Sequence, residues 1–202
     1  MLLALTILLS LLNCVSLVSA ENANQGNNSN LSEMQYSQAK DYYYLLLRDN
    51  KVQSDRRNWL KGISEFRRMY HGDPQGEFAA SCLFMMAKMY YRMYMRFYQE
   101  KDLDESIANY SDVYTLFPDN TLADDALFWA AEIYLKDKKN PRQAAKLYAK
   151  QITLYPLGDK YGQAASRLQE LKGKYNFELP EKYSVSRDTK TLMQVPCPIL
   201  VF

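Results

Sequence analysis

Between residues 122 and 156 the apolar residues fall at helical spacing twice in succession, with a stop between. Little fits that pattern except two short helices folded against each other. In the first, Leu122, Ala126, Trp129, Ala130, Ile133 and Tyr134 line one face, and Asp124, Asp125, Glu132 and Lys136 fill the rest. Thr121 with Asp124 three residues on is a variant capping box, expected to satisfy backbone N–H groups at this start. The second helix opens at Asn140-Pro141 with Gln143 following: an N-cap, then a proline where no amide is needed. Its face is Ala144, Leu147, Tyr148, Ile152 and Tyr155, and Pro156 with Gly158 ends it.

The same lettering lies upstream. Residues 81–90 align with 125–134, pairing Leu83 with Leu127, Phe84 with Phe128, Ala87 with Ala131 and Tyr90 with Tyr134. Tyr110, Leu116, Phe117 and Pro118 then match Tyr148, Leu154, Tyr155 and Pro156. The offset is 44 in the first helix (127−83) and 38 in the second (156−118), which predicts an extended first helix or turn around residues 92–101. A weaker third copy gives Trp59, Ile63, Phe66 and Tyr70 the second-helix part. Helices are expected at about residues 34–50, 55–70 (ended by His71-Gly72-Asp73-Pro74) and 78–99. Residues 161–175, with Ala164, Ala165, Leu168 and Leu171, form a single last helix. Periods of these lengths mark stacked helix pairs.

The run Ala-x-x-x-Tyr-x-x-x-x-x-Tyr/Phe-Pro, and Leu-Ala-Asp-Asp-Ala-Leu-Phe-Trp-Ala-Ala-Glu-Ile-Tyr at 122–134, resemble tetratricopeptide repeats of bacterial envelope proteins over roughly residues 36–175. More narrowly, residues 41–70, with Tyr-Tyr-Tyr-Leu-Leu-Leu-Arg-Asp and Arg-Arg-Asn-Trp-Leu-x-x-Ile-x-x-Phe, look like the helical region ahead of the catalytic domain in some bacterial N-acetylmuramoyl-L-alanine amidases. An outer-membrane assembly lipoprotein and a periplasmic partner of the Tol–Pal system carry similar repeats. The resemblance implies an all-α, tetratricopeptide-like α-solenoid of about three helix pairs plus a capping helix. Its concave side, lined by the first helix of each pair, would accept an extended peptide or a partner's helix. The repeat match places Phe84, Lys88 and Tyr91 of one pair, and Phe128, Glu132 and Lys136 of the next, outward in that groove.

Around this domain, taken as residues 34–175, the ends read differently. Residues 1–20 are apolar from Leu2 to Val18 and end in Val18-Ser19-Ala20, the pattern of a secretory signal peptide. No Lys or Arg follows Met1, and the same run left uncleaved would serve as a membrane anchor. Cys14 follows Asn13, where a lipoprotein signal wants a small residue. Residues 21–33 are a polar tract expected as a disordered tether. Residues 176–202 are an irregular tail with an apolar end holding Pro196, Cys197 and Pro198; it either docks or begins a further region. Export places the chain in the periplasm or cell envelope, touching membrane only through an uncleaved signal or a lipid anchor.

With 25 basic and 23 acidic residues interspersed in 202, no basic stripe points to nucleic acid. The pairs Arg56-Arg57 and Arg67-Arg68 read as solvated helix faces. The Met- and Tyr-rich helix at 78–99 is apolar on more than one side, so it packs on two faces; a peptide-contacting surface is the alternative, and Cys82 is the nearest thiol for a metal. His71 is the single histidine, too few for an amidase zinc site and placed beside a turn glycine. Seven scattered glycines make no phosphate loop. Asp124-Asp125 and Asp102, Asp104 and Glu105 stand at helix starts, where offsetting the helix dipole accounts for them. No catalytic residue, cofactor or metal is therefore expected. The function expected is a non-catalytic protein-binding module, the targeting part of a peptidoglycan amidase or a stand-alone scaffold for outer-membrane assembly or cell division.

Overall fold

The computed structural model describes residues 31–175; the expected signal at 1–20, most of the tether and the tail at 176–202 lie outside them. The described residues form eight helices and no strand: α1 (residues 31–48), α2 (Asn50–Gln53), α3 (Arg56–Gly72), α4 (Ala79–Phe97), α5 (Glu100–Leu116), α6 (Leu122–Lys136), α7 (Pro141–Leu154) and α8 (Tyr161–Tyr175). The fold is all-α, with neighbouring helices packed in pairs. The contacts divide the chain into two compact units, one running through Ala123 and the other starting at Asp124.

Three helices, α3, α5 and α7, end where a proline forbids the next turn. The residue before each proline is pushed out of the α region by the ring: Asp73 sits at φ −147°, Phe117 at φ −129° and Tyr155 at φ −126°, ahead of Pro74, Pro118 and Pro156. A common joint follows. The N–H groups of Asp73, Phe117 and Tyr155 donate four residues back, to Met69, Val113 and Gln151. Three residues on, Gly76, Asn120 and Gly158 donate to the carbonyls of Asp73, Phe117 and Tyr155, and three further on Ala79, Ala123 and Tyr161 donate to those of Gly76, Asn120 and Gly158. These six bonds span 2.9–3.2 Å. The joint recurs at offsets of 44 (117−73) and 38 (155−117), the periods of the lettering.

In the second and third pairs the turn within the pair also repeats. Tyr98 (φ 53°) and Lys139 (φ 51°) take the left-handed conformation, and two residues after each a second helix starts, at Glu100 and Pro141. Asn140 caps α7 by accepting the Gln143 N–H at 3.0 Å, with Pro141 at the first helical position, as its sequence predicts. The upstream pair has the longer first helix, 19 residues in α4 against 15 in α6.

Four local expectations are corrected. Residues 31–33, given to the tether, are already helical, and the helix expected through residue 50 breaks at Asp49. There the carboxylate accepts from Lys51 N–H (2.8 Å) and Val52 N–H (3.1 Å), capping α2 instead. His71 and Gly72 belong to α3 rather than ending it. At α6 it is Asn120, not Thr121, whose side chain reaches in, accepting the Leu122 N–H at 2.9 Å; Asp124 folds back on the Asp125 N–H at 2.7 Å.

The first unit is built on α4. Eleven of its nineteen residues are buried, including Met85, Met86, Met89 and Met93, because α3 and α5 both pack against it. Across this core α1 supplies Ala39, Tyr43 and Leu46, and α3 supplies Trp59, Ile63 and Phe66. Tyr36 stacks on Phe78 at 4.9 Å, and the Trp59 indole donates to the Gln53 carbonyl at 2.8 Å. In the second unit Ala144, Leu147, Tyr148 and Ile152 of α7 and Ala164, Leu168 and Leu171 of α8 are buried, as their spacing predicts. Trp129 departs from its expected inward place and is 39% exposed, edge-on to Phe128 at 5.5 Å. Among the described residues no helix is long and apolar enough to cross a membrane.

Candidate functional site

The residues expected to line a groove divide by direction. Phe84 is buried against Tyr110, ring centroids 5.3 Å apart and planes at 73°. Phe128 is buried against Tyr148 at 5.9 Å and 57°. Because Phe84 aligns with Phe128 and Tyr110 with Tyr148, this is one contact made twice, first helix to second. These rings therefore point into their pairs rather than outward, a correction that follows from each pair's need to bury an aromatic between its helices.

Glu132 is corrected likewise: it is 5% exposed, because α7 and α8 both close over that part of α6. Its carboxylate accepts from the Tyr148 hydroxyl and from Arg167 Nε at 3.1 Å, and pairs with Lys136. One buried carboxylate thus ties three helices together. Burial pushes it up, but the hydrogen bonds from Lys136 and Tyr148 and the charges of Lys136 and Arg167 outweigh burial and leave it below its ordinary value. Burial first, then the Glu132 carboxylate, raises the Tyr148 phenol.

The remaining three reach the surface in part. Lys88 and Tyr91 are half-buried and Lys136 is exposed. The Lys88 ammonium lies over the rings of Tyr43 (5.7 Å) and Phe84 (5.9 Å). Lys88 and Glu132 are aligned positions, and each reaches sideways to another first helix: Lys88 of α4 to Tyr43 of α1, Glu132 of α6 to Arg167 of α8.

Beside these contacts run two clefts. In the second unit, Phe128 of α6 with Gln163, Ser166, Arg167 and Glu170 of α8 borders a cleft of about 550 Å³. In the first unit, Leu47, Gln53, Trp59, Arg92, Met95 and Phe97 border one of about 540 Å³ at the ends of α1 and α4. Both mix apolar rings with charged or amide tips.

Sequence reasoning missed the most buried charge. Asp102 is 1% exposed and takes a two-pronged pair from Arg56 of α3, one prong at 2.6 Å. Its place at a helix start suggests a carboxylate that offsets the dipole, yet Asp102, Ser106, Tyr110 and Val113 share one buried face, so its spacing carries the information. Apart from Arg56 the arginine pairs are solvated, as expected: Arg57 and Arg68 are exposed and pair with Asp55 and Glu65, and the exposed Arg67 donates to the Tyr90 hydroxyl at 2.6 Å. His71 is exposed in the last turn of α3, its ring 5.6 Å from that of Tyr70. Burial pushes the Cys82 thiol up to about 12, so it carries no thiolate at neutral pH.

Compared with known proteins, the chain matches no protein-family model and no curated protein.

Proposed function

We propose that the chain is a tetratricopeptide-like α-solenoid, three helix pairs closed by α8, that serves as a non-catalytic protein-binding module of the bacterial cell envelope. The observation that carries this reading is the joint used three times with the same backbone bonds. Joints that recur at the repeat period are what helix-pair repeats use, and in such repeats the first helices supply the binding surface. The lateral contacts Lys88–Tyr43 and Glu132–Arg167, and the cleft beside each unit's first helices, fit such a surface. The likeness of residues 41–70 to the region ahead of an amidase catalytic domain supports a targeting role, in which the module holds a peptidoglycan hydrolase on an envelope partner.

A photo-crosslinking residue at Gln163, exposed beside the α6–α8 cleft, tests this in bacterial envelope preparations, with the same residue at Lys146, exposed on α7, as control. Crosslinks from position 163 alone to a defined protein of the cell-wall machinery are expected. A partner in outer-membrane assembly or division would change the role from targeting to scaffolding. Equal products from both positions, or peptidoglycan turnover by the purified chain, would overturn the proposal.

A further inference from the structure

Asp124 and Asp125 stand in the first turn of α6 and Asp159 in the joint before α8, and one carboxylate oxygen from each lies within 4.8 Å of the others. Asp124 is 6% exposed. Its Oδ1 accepts the Asp125 N–H, while its buried Oδ2 has no hydrogen-bond partner among the described residues. That oxygen is turned toward the joint: a Cβ placed on Gly158 would run into it. A buried carboxylate oxygen without a donor is unfavourable unless something positive reaches it.

The cation beside them is Lys160, whose Nζ is 3.0 Å from Asp159 Oδ2 and 3.5 Å from Asp125 Oδ1. Three carboxylates against one ammonium leave a formal charge of −2 (1−3). The fold does not require this trio. At the aligned start of α4 the residues are Ala80 and Ser81, and Thr121 holds the place of Asp159 in the preceding joint, yet all three joints close with the same bonds.

We propose that Asp124, Asp125 and Asp159 form a Ca²⁺ site. Donors that are all carboxylate oxygen select a hard cation. Two oxygens bound to one Ca²⁺ stand at most roughly 4.6–5.2 Å apart, twice the usual bond, so three oxygens within 4.8 Å of one another are close enough to share one ion. Lys160, half-buried on a flexible stem, swings out as the ion enters, and a divalent charge replaces a monovalent one. The ion fastens the start of α6 to the joint ahead of α8. With no dedicated loop around it, the site belongs in the weak range of about 10⁻⁴–10⁻³ M.

Calorimetric titration and thermal denaturation of the full chain, with Ca²⁺, Mg²⁺ or chelator, test the site. One Ca²⁺ per chain and a Tm that rises with Ca²⁺ are expected, with Mg²⁺ weaker. Asp124→Asn should abolish binding, Asp159→Asn should weaken it about tenfold or more, and Lys160→Met should tighten it. Asp159 has a 69% exposed side chain, so its substitution leaves the fold in place, and far-UV circular dichroism checks each variant. Absence of both heat and Tm shift, equal response to Mg²⁺, or wild-type affinity in both Asp variants overturns the proposal.

Discussion

Tyr98 and Lys139 hold left-handed backbone that an L side chain adopts at a cost of roughly 1–2 kcal/mol. The Tyr98 ring is 77% exposed and meets only the edge of Tyr94, at 6.4 Å among its ring contacts. Tyr98→Gly should therefore stabilise the chain by about 0.5–1 kcal/mol after the added freedom of the unfolded state is subtracted, measured by urea denaturation. Glu132 acts through pH. Its carboxyl lies below the ordinary 4.5, so its contribution is full above that value and is lost as pH falls through the lower folded value. Asp125, which burial holds up, adds the opposite slope, so the difference between wild type and Glu132→Gln is the quantity to follow. Thermal denaturation across the acid range should show the variant's stability falling less steeply. Faces were legible apart from Trp129, Phe84, Phe128 and Glu132, but partners were not: Arg56 and Asp102 are 46 residues apart, and no local spacing names such a pair.

At the scale of elements, that pair joins α3 to α5. Arg56→Met leaves a buried carboxylate without its cation and should cost about 3 kcal/mol, whereas Arg56→Met with Asp102→Leu should recover most of the loss. A double-mutant cycle by chemical denaturation separates the two. Gly62, buried in α3, has Met89 Cε 2.6 Å and Tyr42 3.1 Å from where a Cβ would stand. Gly62→Ala should be nearly neutral, since the methionine tip moves aside and alanine favours the helix. Gly62→Leu should cost about 1–3 kcal/mol by overpacking, read as a lowered Tm. Helix ends were the most legible elements, because proline and asparagine act within a turn of themselves. The break at Asp49 and the outward turn of Trp129 were less so: the first depends on a side chain choosing which helix to cap, and the second on a phase error of one residue, about 100°.

For the whole molecule, Cys82 offers a native reporter of the first unit. It is fully enclosed and its thiol is pushed up to about 12, so iodoacetamide should modify it only when that unit opens. Peptide mapping separates it from Cys14 and Cys197, and labelling under native conditions should rise with denaturant in step with unfolding. The all-helical class and seven of the eight helices followed from the lettering, since the period is long enough to survive local errors; the short α2 and the division into two compact units have no mark in it. The repeated joint also bears on how such a chain changes over generations. An in-frame duplication of residues 117–154 carries a joint at each seam, so one recombination event adds 38 residues, a whole helix pair, without the invention of a new turn.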